Sequence, residues 1–294
     1  MAAISTKTGS RAAAGTKSAF SAPVAGKAAA TVIMFALGVL MILPFIWMIS
    51  TSFKSPAEVF EFPIRWIPAH PDLEHHIRVW TGKQSFSTYY INSLKVAITG
   101  TIGATFLSAL AAYGFSRVTF KGRDPLFMVY LSMMMVPPQV LFVPKFLMFD
   151  WMGIYNTLWA LILPGMITIF GVFLMRQFFI QIPMEISESA FIDGAGHFKI
   201  FFRLMLPLAK PALATLAIID FSWQWNDYEN ALVFLTDRKL YTIPLGLQNF
   251  IMEFNVDYNG MMAAATAAII PMIIVFIMGQ RFIIQGISST AVKG

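Results

Sequence analysis

The feature that most constrains this chain is its series of apolar runs, several of them about as long as a lipid bilayer is thick. Hydrophobic residues make up 57% of the 294 positions and charged residues only 12%, whereas an ordinary soluble domain has roughly 25% charged residues. A soluble protein of this size would need far more charge on its surface. No sustained alternation of apolar and polar residues suggests a β-barrel. The sequence therefore predicts an all-α integral membrane protein.

Six of these runs approach or exceed the roughly 20 apolar residues that a transmembrane helix requires. They cover residues 28–50, 89–115, 125–148, 157–179, 206–224 and 261–284. Pro137-Pro138 interrupts the third run. In the second, small residues recur every four positions and favour the close approach of another helix. These small residues are Gly100, Ala104, Ser108 and Ala112.

The remaining segments define the domain organisation. Residues 1–27 are rich in Ala, Ser, Thr and Gly with scattered basic residues, which predicts a disordered basic tail. A cleaved secretory signal is the alternative, although the apolar run that follows is longer than the hydrophobic region of such a signal. Residues 28–284 are predicted to form the six-span membrane domain, and residues 285–294 a polar C-terminal tail. The polar segment 51–88, with Trp66 and Trp80, is typical of an external loop with interfacial aromatic residues.

Charge predicts the orientation of these spans. With the N-terminus inside the cell, more than half of the lysines and arginines fall in cytoplasmic segments, and most of the acidic residues fall outside. The positive-inside rule therefore favours six spans with both termini in the cytoplasm. The net charge of +6 is explained by this topology, so the charge gives no reason to expect a nucleic-acid partner.

One charged stretch, residues 183–207, interrupts the apolar pattern between the fourth and fifth spans. Pro183 suits the first turn of a helix, and Glu185 and Glu188 place negative charge near the positive end of the helix dipole. Asp193-Gly194-Ala195-Gly196 predicts a turn, since glycine tolerates positive φ. A second helix is then predicted by an apolar stripe at helical spacing. The stripe consists of Phe198, Phe201, Phe202 and Met205, and Pro207 follows it.

Several kinds of chemistry have no support in the sequence. The phosphate-binding pattern G-x-x-x-x-G-K-[ST] does not occur, so the chain has no P-loop of its own. There are no cysteines, and no nucleophile–base pair indicates an enzyme. His70, His75 and His76 share the first external loop without the spacing of a metal site and are predicted to be solvated. We therefore expect no catalytic residues, cofactor or metal.

The charged stretch resembles a known motif. Glu188-Ser189-Ala190, Asp193-Gly194-Ala195 and Leu206-Pro207 are similar to the EAA loop of the membrane subunits of ATP-binding-cassette (ABC) importers, with Ser189 in place of the commoner alanine. Over most of its length the chain resembles the sugar-importer permeases of the maltose and multiple-sugar type. The further matching segments are Thr51-Ser52-Phe53-Lys54, Tyr90-Ile91-Asn92-Ser93, Val136-Pro137-Pro138-Gln139, Trp225-Asn226-Asp227 and Gln280-Arg281-Phe282 to Lys293-Gly294.

The resemblance implies a prokaryotic plasma-membrane importer with a second permease subunit, two cytoplasmic ATPase subunits and an extracellular sugar-binding protein. It further implies that the 183–207 loop docks in a groove of an ATPase, whereas the residues alone fit equally well a loop that covers the ends of the spans. In the docking interpretation Gly194 allows the turn. The other docking residues are Glu185, Glu188, Ala190, Phe191, Asp193, Phe198, Phe201 and Pro207.

A second set of residues could contact a sugar. Aromatic faces beside amide and carboxylate groups suit the apolar faces and hydroxyl rims of carbohydrates. The alternatives are an interfacial aromatic belt and hydrogen bonds between helices. Asp220 is the one carboxylate inside a predicted span and is a functional candidate on that ground. The full set is Asn92, Gln139, Asp220, Trp223, Trp225, Asn226 and Tyr228.

Three other functions remain open at this point. An ion-coupled secondary transporter would need ion ligands near the middle of the membrane. A membrane-embedded enzyme would need paired carboxylates or histidines within spans. A permease for a substrate class other than sugars would share the loop but not the flanking matches.

Overall fold

The structure is a computed structural model that describes residues 24–81, 86–252 and 255–291. Across these residues the chain is helical. Its α-helices are α1 (Val24–Ser52), α2 (Pro56–Val59), α3 (Glu74–Thr81), α4 (Phe86–Arg117), α5 (Arg123–Ser132), α6 (Phe142–Trp151), α7 (Trp159–Gly165), α8 (Ile169–Gln181), α9 (Glu185–Ile192), α10 (His197–Ile200), α11 (Leu206–Leu208), α12 (Lys210–Trp225), α13 (Glu229–Phe234), α14 (Ile243–Leu247) and α15 (Tyr258–Ala291).

Short irregular elements connect these helices. One π-helical segment, Phe201–Met205, lies between α10 and α11. The 3₁₀ segments are Met133–Met135, Pro138–Leu141, Arg238–Leu240 and Gln248–Phe250. The strands β1 (Ile251–Met252) and β2 (Asn255–Val256) form a small antiparallel pair in which Ile251 is opposite Val256.

The chain divides into two compact units at Trp47 and Met48. In the first unit the described residues belong to α1, whose apolar side chains are exposed on all sides. Met34 is 73% exposed and Phe35 is 74% exposed. A helix that is apolar all round requires an apolar environment. Lipid is the environment that the composition of this helix suits.

Helix α4 lies at the centre of the second unit. It packs against α7, α8 and α12, and α12 packs in turn against α15. The small residues predicted to form a packing face are all buried, namely Gly100, Ala104, Ser108 and Ala112. The contact with α8 is especially close, because a Cβ atom at Gly171 would lie 2.5 Å from Ser108 Oγ. The four-residue spacing in the sequence thus correctly indicated a helix-packing surface.

Four helical stretches are long and apolar enough to cross a membrane, and two bent helix pairs raise that number to six within the described residues. The four are Gly26–Ser52, Phe86–Arg117, Trp159–Gln181 and Tyr258–Phe282. One pair, Arg123–Met135 with Pro138–Trp151, bends by 96°. This bend is where the sequence places the Pro137-Pro138 interruption. All six predicted runs therefore overlap helices of the structure.

Three predicted boundaries differ from the structure. Helix α12 begins at Lys210 rather than 206, after a 79° bend from the segment His197–Leu208. Pro211 explains the bend, because it has no N–H to donate to the carbonyl of Pro207 and its ring clashes with that carbonyl. Residues 24–27 begin α1 rather than continuing the predicted tail, whose first 23 residues lie outside the described chain. At the other end, α15 continues to Ala291 through most of the predicted 285–294 tail.

The segment after α1 is folded onto the chain by specific hydrogen bonds. Lys54 is fully buried and donates from Nζ to the carbonyl of Arg65 at 2.6 Å. Asn259, at the start of α15, donates to the carbonyls of Thr51 (3.1 Å) and Lys54 (2.7 Å). The segment Thr51-Ser52-Phe53-Lys54, one of those that carry the resemblance, is therefore a structural anchor.

Two of the three histidines predicted to be solvated are packed instead. His75 is 6% exposed and lies 3.1 Å from the Arg78 guanidinium. His76 approaches Ser52 Oγ at 3.1 Å, and its ring lies 4.6 Å from that of Phe53. Burial lowers the pKa of His76. The sequence expectation was wrong because α3 packs against α15 and turns His76 towards the end of α1. The spacing of residues within a loop does not reveal such contacts.

The close contact between α4 and α8 gives a first prediction. Gly171→Ala should lower the unfolding temperature in detergent or nanodiscs, because the added methyl meets the short and rigid Ser108 and Thr168 side chains. Overpacking of this kind costs about 1–3 kcal/mol. Gly114→Ala in α4 is the matched control, since a Cβ there meets nothing within 4 Å. An equal or higher unfolding temperature for Gly171→Ala would show that these helices are not in close contact.

Candidate functional site

The predicted docking loop begins where α8 ends. Ile182 is extended, with ψ 129°, and breaks the helix before Pro183. Helix α9 follows and carries Glu185 and Glu188 in its first turn, both exposed to solvent. Their charges lie near the positive end of the α9 dipole and stabilise it. The two glutamates therefore lie in the first turn as predicted, whereas Pro183 lies two residues before the helix and not in its first turn.

The turn after α9 is a Schellman motif. Gly194 has φ +77° and donates its N–H to the carbonyl of Phe191 at 3.0 Å. The N–H of Ala195 reaches back to the carbonyl of Ala190 at 2.9 Å. These two bonds satisfy carbonyls that the end of the helix would leave without donors. The positive φ explains why glycine occupies position 194.

The second half of the loop differs from the predicted amphipathic helix. Phe201 (1% exposed) and Met205 (fully buried) pack into the same cluster as Phe179 of α8, whereas Phe198 is 74% exposed and Phe202 is 50% exposed. The stripe is split because Phe201–Met205 is π-helical, which changes the number of residues per turn. Phe201 therefore anchors the loop inside the chain instead of facing outward.

The exposed apolar residues of the loop come from both of its halves. Ile192 is 87% exposed and Phe191 is 38% exposed at the end of α9, and Phe198 follows in α10. Ala190, a predicted contact, is only partly accessible because it packs against the cluster that contains Phe201. Asp193 is exposed beside the turn, and Pro207 is exposed at the start of α11. Such a surface can bind a partner with an apolar groove.

Two predicted substrate-path residues hold other parts of the chain. Asn92 is 6% exposed and donates to the carbonyls of Lys239 (2.8 Å) and Tyr241 (3.1 Å). Its amide therefore fixes a loop to α4. Gln139 donates from Nε2 to the carboxylate of Glu229 at 3.0 Å. The hydrogen bond between Gln139 and Glu229 is exposed and connects the bent α5–α6 region with α13.

The two tryptophans of α12 differ in their surroundings. Trp225 is 3% exposed, donates from Nε1 to the carbonyl of Ala268 at 3.1 Å and stacks on Phe221. It therefore joins α12 to α15, and neither a sugar contact nor an interfacial belt describes it. Trp223 is 52% exposed, with its ring edge against Phe170 at 5.3 Å. Of these two tryptophans, Trp223 is the one that presents an exposed aromatic surface.

Polar groups continue past the end of α12. Asn226 is exposed and donates to the carbonyl of Ser222 at 2.8 Å. Tyr228 accepts a hydrogen bond at its hydroxyl from Gln248. Asp227 accepts from the amide of Asn230. Burial raises the pKa of the Asp227 carboxyl, and the hydrogen bonds from Asn230 oppose that rise.

Two buried polar residues, Asp220 and Arg117, and the partly buried Gln224 complete the site. Asp220 is 3% exposed, and its Oδ2 has no hydrogen-bond partner among the described residues. The Gln224 amide of α12 lies against α4, and the amide orientation that satisfies both of its ends donates from nitrogen to Val96 O (3.2 Å) and accepts at oxygen from Thr101 N (3.0 Å). Arg117 contacts the start of the docking loop. The sequence analysis missed the roles of Gln224 and Arg117. Gln224 stands among aromatic residues, and Arg117 counts only as one of the basic residues that set the orientation of the spans. Neither position has neighbours in sequence that indicate its contacts.

Together these observations define a polytopic helical membrane protein with a folded loop between α8 and α12. Residues 104–289 match the model of the family described as binding-protein-dependent transport system inner membrane components. The chain belongs to this family.

Curated relatives match over most of their length. The probable ABC transporter permease protein YurM of Bacillus subtilis is 35% identical, and the alignment covers 92% of this chain and 89% of YurM. The arabinooligosaccharides transport system permease protein AraQ of Halalkalibacterium halodurans is 31% identical, with 86% and 91% covered. The resemblance to sugar-importer permeases that the sequence motifs indicate is thereby confirmed.

A solved structure has the same fold. It is a chain of a bacterial ABC transporter involved in the import of the acidic polysaccharide alginate, with a TM-score of 0.78 and 25% identity. The match covers 88% of this chain and 98% of that chain.

The Schellman turn gives a second prediction. Gly194→Ala forces a side chain into the left-handed region, at a cost of about 1–2 kcal/mol. We expect amide hydrogen exchange, followed by mass spectrometry, to become faster in residues 185–200. Gly196→Ala is the control, because Gly196 has φ −78° and open space around it. Equal exchange in the two variants would argue against the turn.

Proposed function

We propose that this chain is the permease subunit of an ATP-driven ABC importer and forms the path for a sugar or oligosaccharide delivered by an extracellular binding protein. The observation that carries the proposal is the loop 183–207, a folded element with exposed apolar side chains, in a family of binding-protein-dependent transport components. The chain itself performs no catalysis in this proposal.

The proposed topology has six spans, with each bent helix pair counted as one. Residues 28–284 form the permease domain, and the tails 1–27 and 285–294 lie in the cytoplasm. The distribution of lysine and arginine supports this orientation in a prokaryotic plasma membrane. The loop 183–207 then lies on the cytoplasmic side, where ATP is available.

The energy for transport comes from partners in this proposal. The sequence has no P-loop, so two separate ATPase subunits hydrolyse ATP and a second permease subunit completes the path. Ile192, Phe198 and Phe191 are the exposed apolar side chains that would enter an ATPase groove. Glu188 and Asp193 supply the polar rim. ATP-driven closure of the ATPases would then tilt the spans as rigid bodies.

Carbohydrate is the proposed substrate class. The relative AraQ is named for arabino-oligosaccharides, and the similar solved structure belongs to an importer of alginate. In this chain Trp223 offers an exposed aromatic surface, and Gln139, Asn226 and Tyr228 offer hydrogen-bonding groups. Such a combination suits sugar rings with hydroxyl rims.

A test of the energy source separates this proposal from an ion-coupled transporter, for which the buried carboxylate of Asp220 is the one supporting observation. We expect proteoliposomes with the importer purified through the tagged chain to accumulate oligosaccharide only with ATP and the ATPase subunits. A panel of arabino-oligosaccharides and alginate oligosaccharides, each with the binding protein, supplies the substrates. Accumulation driven by a proton or sodium gradient without ATP would refute the proposal.

The sugar contact gives a separate prediction. Trp223→Ala should lower the rate of ATP-driven uptake, since it removes the aromatic face proposed to pack against the sugar ring, while ATP hydrolysis persists. Trp151→Ala is the control, because Trp151 is 87% exposed at the end of α6 and belongs to neither predicted set. If Trp223→Ala and Trp151→Ala reduced uptake equally, Trp223 would have no specific contact with the sugar.

A further inference from the structure

We propose that Tyr113 and Arg117, one turn apart at the end of α4, are positioning residues that hold both halves of the docking loop and transmit its movement to the bundle. The proposal rests on the proposed function of the loop in coupling to an ATPase. The two side chains reach the two halves of the loop from a single helix.

Arg117 holds the first half. Its guanidinium donates to the carbonyls of Phe179 and Ile182, the latter at 2.5 Å, where α8 ends. It also reaches the carbonyl of Pro183 at 3.5 Å and the sulfur of Met184 at 3.1 Å. These acceptors run from the last turn of α8 to the residue before α9. One side chain thus fixes the direction in which the loop leaves the bundle.

The charge makes this contact unusual. Arg117 is 4% exposed, and no salt bridge to it occurs within residues 24–81, 86–252 and 255–291. Its Nε also lacks a partner among these residues. The positive charge is instead stabilised by carbonyl oxygens at the negative end of the α8 dipole. Since a buried charge is costly without its acceptors, the guanidinium strongly favours the loop geometry that supplies them.

Tyr113 holds the second half. Its hydroxyl lies 3.1 Å from Nδ1 of His197, the first residue of α10. The His197 ring in turn contacts Phe191 at the end of α9, with ring centroids 4.9 Å apart. The Tyr113 ring also packs against Phe201 at 5.4 Å. Tyr113 therefore joins α4 to the turn between α9 and α10 and to the buried π-helical segment Phe201–Met205.

The position of α4 explains how movement would spread. The same helix packs along α8 and α12, so a loop that is fixed to its end cannot move without moving the centre of the bundle. A loop attached only through its two chain connections would instead bend at Pro183 and Pro207. The contacts of Arg117 and Tyr113 convert a surface loop into a rigid extension of α4.

The absence of cysteines from the sequence allows a direct test in the assembled importer. Spin labels at Ser189→Cys, in α9 of the loop, and Leu107→Cys, in α4, report their separation by pulsed electron paramagnetic resonance. Ser189 is exposed and is not among the predicted docking residues, and Leu107 is 40% exposed. The distance is measured in nanodiscs without nucleotide and with ATP and vanadate. The parent is compared with Arg117→Gln and Tyr113→Phe.

We expect one narrow distance in the parent that does not shift with nucleotide, because the loop and α4 move together. Arg117→Gln should broaden the distribution and introduce a nucleotide-dependent shift, while ATP hydrolysis continues. Tyr113→Phe, which keeps the ring, should produce a smaller shift of the same kind. The matched control is Arg176→Gln, since Arg176 bonds Phe115 O and Asp124 rather than the loop.

Distances in Arg117→Gln and Tyr113→Phe that match those of the parent and the control would overturn the proposal. A separate cross-link from Glu188→Cys to an ATPase subunit tests whether the loop docks on the ATPase, independently of whether Arg117 and Tyr113 transmit its movement. If the cross-link forms in the parent and in Arg117→Gln, docking holds, and the distance shift alone decides the role of Arg117. If the parent gives no cross-link, docking fails and the transmission role fails with it.

Discussion

The close approach of helices through small residues is the constraint on which the rest of this structure depends. Lipid chains are as apolar as leucine, so helices in a membrane associate through packing and hydrogen bonds rather than through the hydrophobic effect. Helix α4 meets this requirement with a buried face of small residues, and Gly171 of α8 approaches its Ser108 closely. The helices that carry both predicted sites are arranged around this contact.

The same helix makes polar contacts with other segments near both of its ends. Near its start, Asn92 and Ser93 hold the segment 239–243 by hydrogen bonds. Near its end, Tyr113 and Arg117 contact the docking loop. In between, Gln224 of α12 bonds to its backbone. A central helix with polar contacts at both ends is suited to carry movement from an energy source to a distant path.

Sequence patterns predicted the features that depend on local chemistry. The scarcity of charge predicted a helical membrane protein, and the paired glutamates and Gly194 correctly located α9 and its turn. Features that depend on tertiary contacts were not predictable in this way. The π segment moved Phe201 from the expected surface into the interior. Trp225 and Asn92 looked like substrate contacts, but α15 and the 239–241 loop, distant in sequence, are their partners.

The central claim is that the 183–207 loop transmits force that this chain cannot generate. The most direct measurement is a cryo-electron-microscopy structure of the importer purified from its own membrane through this chain. We expect residues 185–205 to lie in a groove of a nucleotide-hydrolysing subunit, with Ile192 and Phe198 covered and Arg117 still bonded to the end of α8. A complete assembly in which those residues face open solvent, with no ATPase against them, would contradict the claim.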